Sequence, residues 1–386
     1  MTGPADRLRA AIARRGPVPF SELVEAALYG PDGFYTTGGG AGRTRDFLTS
    51  PELGGAFGAV VAHAIDAAWD DGGRPDPWFV VDAGAATGSL ARAVLAAEPR
   101  CSPALRYVAV ETSPALRAIA ATRLPVEATS QLLGPRPPRR DPDDDDAQPQ
   151  GRSGVGPMVA LLEDLPAGPI RGVVVANELL DNLPFDIYQR GREGWEEVRV
   201  GSAGPALVEV TVPSAPAIST VLDGLVPAAE PGTRVPWQAK AATWVRNAVD
   251  LLERGEVIAF DYARPTAAIA AAGGAGSTPD WLRTYRAGGR GRGPLEDPGE
   301  QDITADVAID QLPQPTRITL QRRWLSDHGI DALASAAAAR WRERAAIGDL
   351  EAIRARSVGP EVAALTDPLG VGGFTVCEWY ARADQR

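Results

Sequence analysis

Val80-Val81-Asp82-Ala83-Gly84-Ala85-Ala86-Thr87-Gly88-Ser89-Leu90 reads as the end of a buried strand, a tight turn and the start of a helix. The apolar run Trp78–Val81 leads into it, and Leu90-Ala91-Arg92-Ala93-Val94-Leu95 leaves it with helical composition. Glycine is wanted where a backbone turns sharply or lets a ligand come close. Open α/β sheets receive nucleotide-like ligands at such turns. Twenty-three residues past Gly88, a second apolar run, Tyr107-Val108-Ala109-Val110, ends in Glu111. An acid at the tip of the next strand can accept two ribose hydroxyls. An ordinary strand-to-helix turn that binds nothing stays open as the alternative.

The dinucleotide fingerprint G-x-G-x-x-G is absent. The spacing is Asp82-x-Gly84-x-Ala86-x-Gly88, which resembles the D/E-x-G-x-G-x-G turn of methyltransferases that use S-adenosylmethionine (SAM). Ala86 stands at the middle glycine and leaves less room under a ligand.

The bulk numbers exclude several classes. A chain of 386 residues with 44% hydrophobic and 23% charged content is globular and can bury a full core. No run approaches the length of a membrane span, and the charged, alanine-rich start has no secretory apolar segment. Cys101 and Cys377 are unpaired in spacing, and only His63 and His328 are histidines, so neither a metal site nor Ser-His chemistry is expected. A reducing cytoplasm is the expected location. The net charge of −11 argues against nucleic-acid binding and suits an arginine-bearing partner. Lys240 is the one lysine among many arginines, which points to a GC-rich bacterial source.

Along the chain, 19–29 reads as a helix capped by Ser21, followed by a glycine cluster at 38–42. Ser50-Pro51-Glu52-Leu53 is a helix start, with Thr49 and Ser50 as a polar lip over the ligand. Residues 114–124 read as a helix, and 134–156, with Asp143–Asp146, as a solvated acidic loop. The strand 172–176 ends in Asn177-Glu178-Leu179-Leu180-Asp181-Asn182-Leu183-Pro184-Phe185. A helical turn starting at Glu178 would put Glu178 and Asp181 on one face; an acid-rich helix N-terminus is the structural alternative. Residues 187–200 and 206–212 alternate as strands, 235–252 reads as a helix and 255–262 as a strand. An arginine-rich loop spans 286–293, Asp302 and Thr304 cap a short helix, 331–355 is a long alanine-rich helical region, and 374–380 is the last strand.

The motifs YGPDGFY, RDFLTSPEL, Phe57-Gly58, DAGAATGSL, VETSPALR, ANELLDNLPF, FDYA, DITADV and DPLGVGGF fall in order from about Leu28 to Phe374. Together they resemble the MidA-type methyltransferases, which include the mitochondrial complex I assembly factor that methylates a protein arginine. The resemblance implies a class I SAM-dependent fold: a seven-stranded, mostly parallel α/β sheet with helices on both faces and inserted lid elements. It implies an N-terminal segment over 1–70, a core over 71–386, and insertions at about 187–235 and 284–355. The departures are Ala86 for glycine, Asp82 where glutamate is common, Arg45 for the glycine before Asp46, and the aspartate-rich loop.

A guanidinium stays protonated and delocalised, so an enzyme for arginine wants carboxylates that grip it and hold one nitrogen in line. Glu178, Asp181 and Asn177 are the candidate catalytic residues. Asp82, Gly84, Ala86, Gly88, Glu111 and Thr112 would hold SAM, with Thr49, Ser50, Pro51 and Glu52 closing over it. The expected partner is an arginine-bearing protein, a respiratory-complex subunit being one candidate; neither nucleic acid nor membrane is expected. A small-molecule methyltransferase and a non-catalytic assembly protein with a vestigial SAM pocket remain open, as does oligomeric state. A nicotinamide-linked oxidoreductase is the poorest fit.

Overall fold

The computed structural model describes residues 3–39, 49–133, 154–273 and 279–381. The later part of the glycine cluster, Arg45, Asp46 and the aspartate run lie outside the described residues. The chain divides into two compact units. The N-terminal unit contains 1–49, 178–247 and 259–316, and the sheet unit contains 50–177, 248–258 and 317–386.

The sheet unit is built on strands β1 (Trp78–Ala83), β2 (Leu105–Val110), β3 (Met158–Leu162), β4 (Ile170–Asn177), β5 (Leu252–Asp261), β6 (Arg317–Leu320) and β7 (Thr375–Ala381). The last three residues of β5 are counted with the N-terminal unit. The strands lie in the order β6-β7-β5-β4-β1-β2-β3, an α/β architecture. β1 runs parallel to both β2 and β4, and β2 parallel to β3, while β6 and β7 are antiparallel. The inner strands β1, β2 and β4 are mostly apolar, as strands covered on both faces must be, with Asp82, Arg106 and Arg171 as their charged residues. Backbones come so close here that a Cβ on Gly255 would lie 1.7 Å from the Gly172 carbonyl oxygen, so only glycine fits. At φ 139° Gly255 also has a backbone that other residues rarely adopt.

The helix Gly55–Asp71 packs on the helix Ser89–Ala96 through Gly58, where a Cβ would meet that of Ala93 at 2.3 Å. This contact places 55–71 with the sheet, so the unit boundary falls at 49/50 rather than near 70. The helix Pro114–Arg123 starts as its sequence suggests, with proline first and the Ser113 hydroxyl accepting from Leu116 N at 3.2 Å. The helical region expected over 331–355 is made of two helices, Ile330–Arg344 and Leu350–Thr366. Gly348, at φ 65°, turns the chain, and Asp349 caps the second helix by accepting from Ala352 N.

The N-terminal unit has an antiparallel sheet of Val18–Pro19, Trp195–Ala203, Asp186–Arg190 and Arg234–Trp237, with Ala206–Pro213 paired to Trp195–Ala203. Phe20, Leu23, Leu28, Phe185, Trp281 and Ile303 pack in its core. Four expectations change here. Ser21 is not the cap of its helix, which spans Phe20–Leu28; its backbone N–H is taken by Asp186 Oδ1 at 2.9 Å. Arg234–Trp237 is a strand, so the helix begins only at Ala239. Asp302 and Thr304 lie in the strand Asp302–Ala305, paired with Leu282–Arg286, and cap no helix. The arginine-rich loop is a hairpin, Leu282–Arg286 with Gly289–Arg290, turning on Ala287 and Gly288 at positive φ.

One charge cluster within the sheet makes a stability prediction. Glu256 on β5 is half-buried, and burial, then the negative Glu378 and Asp71, push its carboxyl up to about 8 against the opposing charge of Arg317. An acid whose folded value is raised binds its proton more tightly in the native state. Stability is therefore retained below the ordinary value of 4.5 and lost as pH rises toward about 8. Glu256→Gln mimics the protonated form and is expected to match the wild type in thermal melts at pH 5. At pH 8.5 it should be more stable by about 1–2 kcal/mol, a few degrees in Tm. A constant difference across that range would contradict the assignment.

Candidate active site

The turn after β1 lies at a topological switch point, because β1 has β2 on one side and β4 on the other. Ala83 pairs with Val110 and with Ala176. Gly84, Glu111 and Asn177 are the next residues, so all three stand at the carboxyl edge of the sheet. Gly84 and Ala85 both donate their N–H to the Val110 carbonyl at 2.9 Å, and Gly88 N donates to Ala85 O at 2.8 Å. Gly84, Ala86 and Gly88 all have positive φ: 73°, 47° and 77°. Ala86 thus keeps the left-handed backbone that glycine adopts freely, at a strain of about 1 kcal/mol.

Glu111 is the centre of this region. It is 7% exposed; Oε2 accepts from Ala86 N at 2.9 Å and Oε1 from Ser113 N at 2.8 Å. A carboxylate oxygen can accept more than one hydrogen bond, so an acid in this place could also accept from ribose hydroxyls. Burial pushes its carboxyl up, opposed by those two N–H bonds. Asp82 is 3% exposed and meets the Tyr107 hydroxyl at 3.1 Å, so it lies beneath the turn. Burial pushes its carboxyl up to about 7, against the Tyr107 bond. Thr112 is exposed, and its carbonyl takes Arg117 Nη1 at 2.8 Å.

The helical turn Ser50–Leu53 supplies a second acid, with Pro51 just inside its start. Glu52 Oε1 accepts from Ser89 Oγ at 2.6 Å, beside Gly88. The exposed polar lip does not exist. Thr49 is 8% exposed, and Ser50 is fully buried, its hydroxyl paired with Gln321 at 3.0 Å.

In the N-terminal unit, no helix starts at Glu178. Glu178 is half-buried with φ 50°, a conformation that persists only where its surroundings enforce it, and one that clusters at functional sites. Its N–H donates to Phe260 O at 2.8 Å. Asp261 closes the turn: Oδ2 accepts from Leu180 N (2.9 Å) and Asp181 N (3.3 Å), and Oδ1 from Tyr262 N (2.8 Å). The one-turn helical spacing of Glu178 and Asp181 is therefore replaced by a turn clamped on a carboxylate.

Asp181 is 4% exposed, and its Oδ2 accepts from Thr304 Oγ1 at 2.5 Å. Its Oδ1 is buried with no hydrogen-bond partner among the described residues. Burial pushes both Asp181 and Asp261 up, and the negative Asp181 adds to the rise at Asp261 and Asp306 to that at Asp181, while Thr304 and Arg283 hold Asp181 down. Arg283 pairs with Asp306 at 2.5 Å and lies 4.9 Å above the Tyr262 ring. Of the acids gathered here, Glu178 is half-buried, while Asp181, Asp261, Asp302 and Asp306 are buried. Sequence reasoning missed Asp261, Asp302, Asp306 and Thr304 as members of one cluster. The signal lay in FDYA and DITADV, both acid-bearing and both strand ends. Among the described residues no group of three or more acids, histidines or cysteines is arranged to hold a metal ion.

The model of one family, described as S-adenosyl-L-methionine-dependent methyltransferase, matches residues 60–325. The chain belongs to that family. SAM is accordingly its cofactor, and Glu111 and the turn fit it. This methyltransferase is 28% identical to the Drosophila melanogaster protein arginine methyltransferase NDUFAF7 homolog over 78% of its own chain and 67% of the relative. It is 27% identical to Xenopus tropicalis protein arginine methyltransferase NDUFAF7, over 83% and 74%. A crystal structure of a Burkholderia thailandensis protein with bound S-adenosyl-homocysteine (SAH) superimposes with a TM-score of 0.76 and 28% identity. That match covers 99% of this chain and 92% of the other. No helix among the described residues is long and apolar enough to cross a membrane.

Proposed function

We propose that this methyltransferase acts on a nitrogen of a protein arginine. The observation that carries the reading is the half-buried Glu178, held in a strained turn beside buried carboxylates. The names of the NDUFAF7 relatives support it. The sheet order, with an antiparallel β6–β7 pair after parallel strands, supports the class I assignment.

When bound, SAM supplies a methyl group on a positively charged sulfur. Glu111 holds its ribose hydroxyls, the backbone from Gly84 through Ala86 to Gly88 lines its approach, and Asp82 supports the turn from beneath. Thr112, Pro51 and Glu52 flank the turn, Glu52 through Ser89. β4 runs from the sheet straight into Asn177 and then Glu178. The Glu178 carboxylate accepts N–H bonds from the guanidinium, concentrates its positive charge away from the reacting nitrogen and takes up the proton that nitrogen sheds. Asp181 adds negative charge in a low-dielectric setting, where it acts strongly. The acceptor is a protein partner, for which a respiratory-complex subunit is the candidate.

The test measures SAH release from SAM with an arginine peptide, the same peptide bearing lysine, and a panel of small amines and acids. Turnover with the arginine peptide at least tenfold above the others is the expected result. Turnover confined to a small molecule would overturn the reading.

A further inference from the structure

Asn182, the residue after Asp181, is held from several sides within the N-terminal unit. Its Nδ2 donates to Asp302 Oδ1 at 3.0 Å and to the Ile303 carbonyl at 3.1 Å. Its own carbonyl accepts from the Tyr29 hydroxyl at 3.1 Å. The Tyr35 hydroxyl lies 3.2 Å from Asn182 Oδ1 and 3.0 Å from Asp302 Oδ1. A phenol has one hydrogen, so it serves one of these two acceptors at a time. The rings of Tyr29 and Tyr35 stack with centroids 5.7 Å apart, and Phe34 meets Tyr35 edge-on at 5.1 Å, which fixes where the hydroxyls point. Asn182 and Asp302 are 6% and 3% exposed, so a bond left unmade here is expensive.

Glu178 keeps its left-handed backbone only if both ends of the turn are fixed. Phe260 and Asp261 fix its start and middle, and Asn182 fixes its end. We propose that Tyr35, acting with Tyr29 and Asp302 through Asn182, is a positioning residue that sets the geometry of the acceptor turn. The segment 29–35 then has a role in transfer without touching the acceptor. This inference rests on the reading of that turn as the acceptor site.

The groups facing Asp302 are Asp181 from the turn, Tyr35 from the N-terminal segment and Tyr285, its partner across the strand pair. Burial, then Asp181, push the Asp302 carboxyl up to about 7, while Tyr35 and Asn182 hold it down. Removing the Tyr35 hydroxyl removes a bond that favours the ionised form, so Asp302 takes up its proton at higher pH.

The test compares the wild type with Tyr35→Phe, which keeps the ring, and with Asp302→Asn, which keeps the shape. Three readouts are SAH affinity by calorimetry, kcat and KM for an arginine peptide across pH, and amide hydrogen exchange at residues 178–182. SAH affinity within about twofold of the wild type is expected, with kcat at least tenfold lower and KM changed less than threefold. The acid limb of the kcat profile should move to higher pH in Tyr35→Phe and flatten in Asp302→Asn. Exchange at 178–182 should rise at least tenfold in both. Unchanged exchange and kcat in Tyr35→Phe, or SAH affinity falling in parallel with kcat, would overturn the positioning role. If the wild type transfers nothing to arginine while exchange still rises in the variants, the acceptor reading fails and the structural coupling stands.

Discussion

Glu178→Gln is expected to lower methyl transfer by about 10²–10³-fold, the effect of removing one preorganised charge-stabilising group, while SAH affinity stays within about twofold of the wild type. The substitution keeps the side chain's shape and one acceptor oxygen but removes the charge that a guanidinium pairs with bidentately. Glu178 is half-buried, and its turn is held by backbone bonds to Phe260 and Asp261, so the variant should fold and melt as the wild type does. Paired measurements of peptide turnover and SAH titration decide it. Equal losses in both, or none in either, would remove Glu178 from the acceptor site.

Glu111→Gln is expected to weaken SAM and SAH by about a hundredfold or more, from two lost hydrogen bonds to a charged group at roughly 1.5–3 kcal/mol each. The carboxylate accepts from Ala86 N and Ser113 N and, on the proposed reading, would also accept from the ribose. An amide turns one of those acceptors into a donor that faces an N–H. The turn then loses a tie, and the diol loses an acceptor. Calorimetric titration with SAH reads the effect, with circular dichroism to show that the sheet is intact. An affinity within threefold of the wild type would make Glu111 a brace for the turn and place the ribose elsewhere.

The strand, turn and helix at Val80–Leu90 were legible because they are local: an apolar run, an acid, small residues and a helical pattern follow one another. Glu111 was legible for the same reason, since the next strand of a parallel pair brings its tip to the same edge. That Ala86 adopts φ 47° and so preserves the turn was not legible from its identity, because alanine rarely takes this backbone. Ser50 read as an exposed lip because helix starts are usually at the surface, yet it is buried on Gln321, 271 residues away. The acid cluster was illegible for that same reason of distance. Asp261 meets Leu180 across 81 positions and Asp302 meets Asn182 across 120. Asp302 and Thr304 looked like helix caps because a strand of four residues is too short to show its alternation.

The most direct test of arginine as the acceptor starts from SAM carrying a labelled methyl group and a lysate of cells lacking this protein. Purified wild type and Glu178→Gln are added in parallel, the protein and small-molecule fractions are separated, and the protein fraction is hydrolysed to amino acids. Label recovered as methylarginine from the protein fraction with the wild type, and absent with Glu178→Gln, is the expected result. Label in the small-molecule fraction, or on a residue other than arginine, would contradict it.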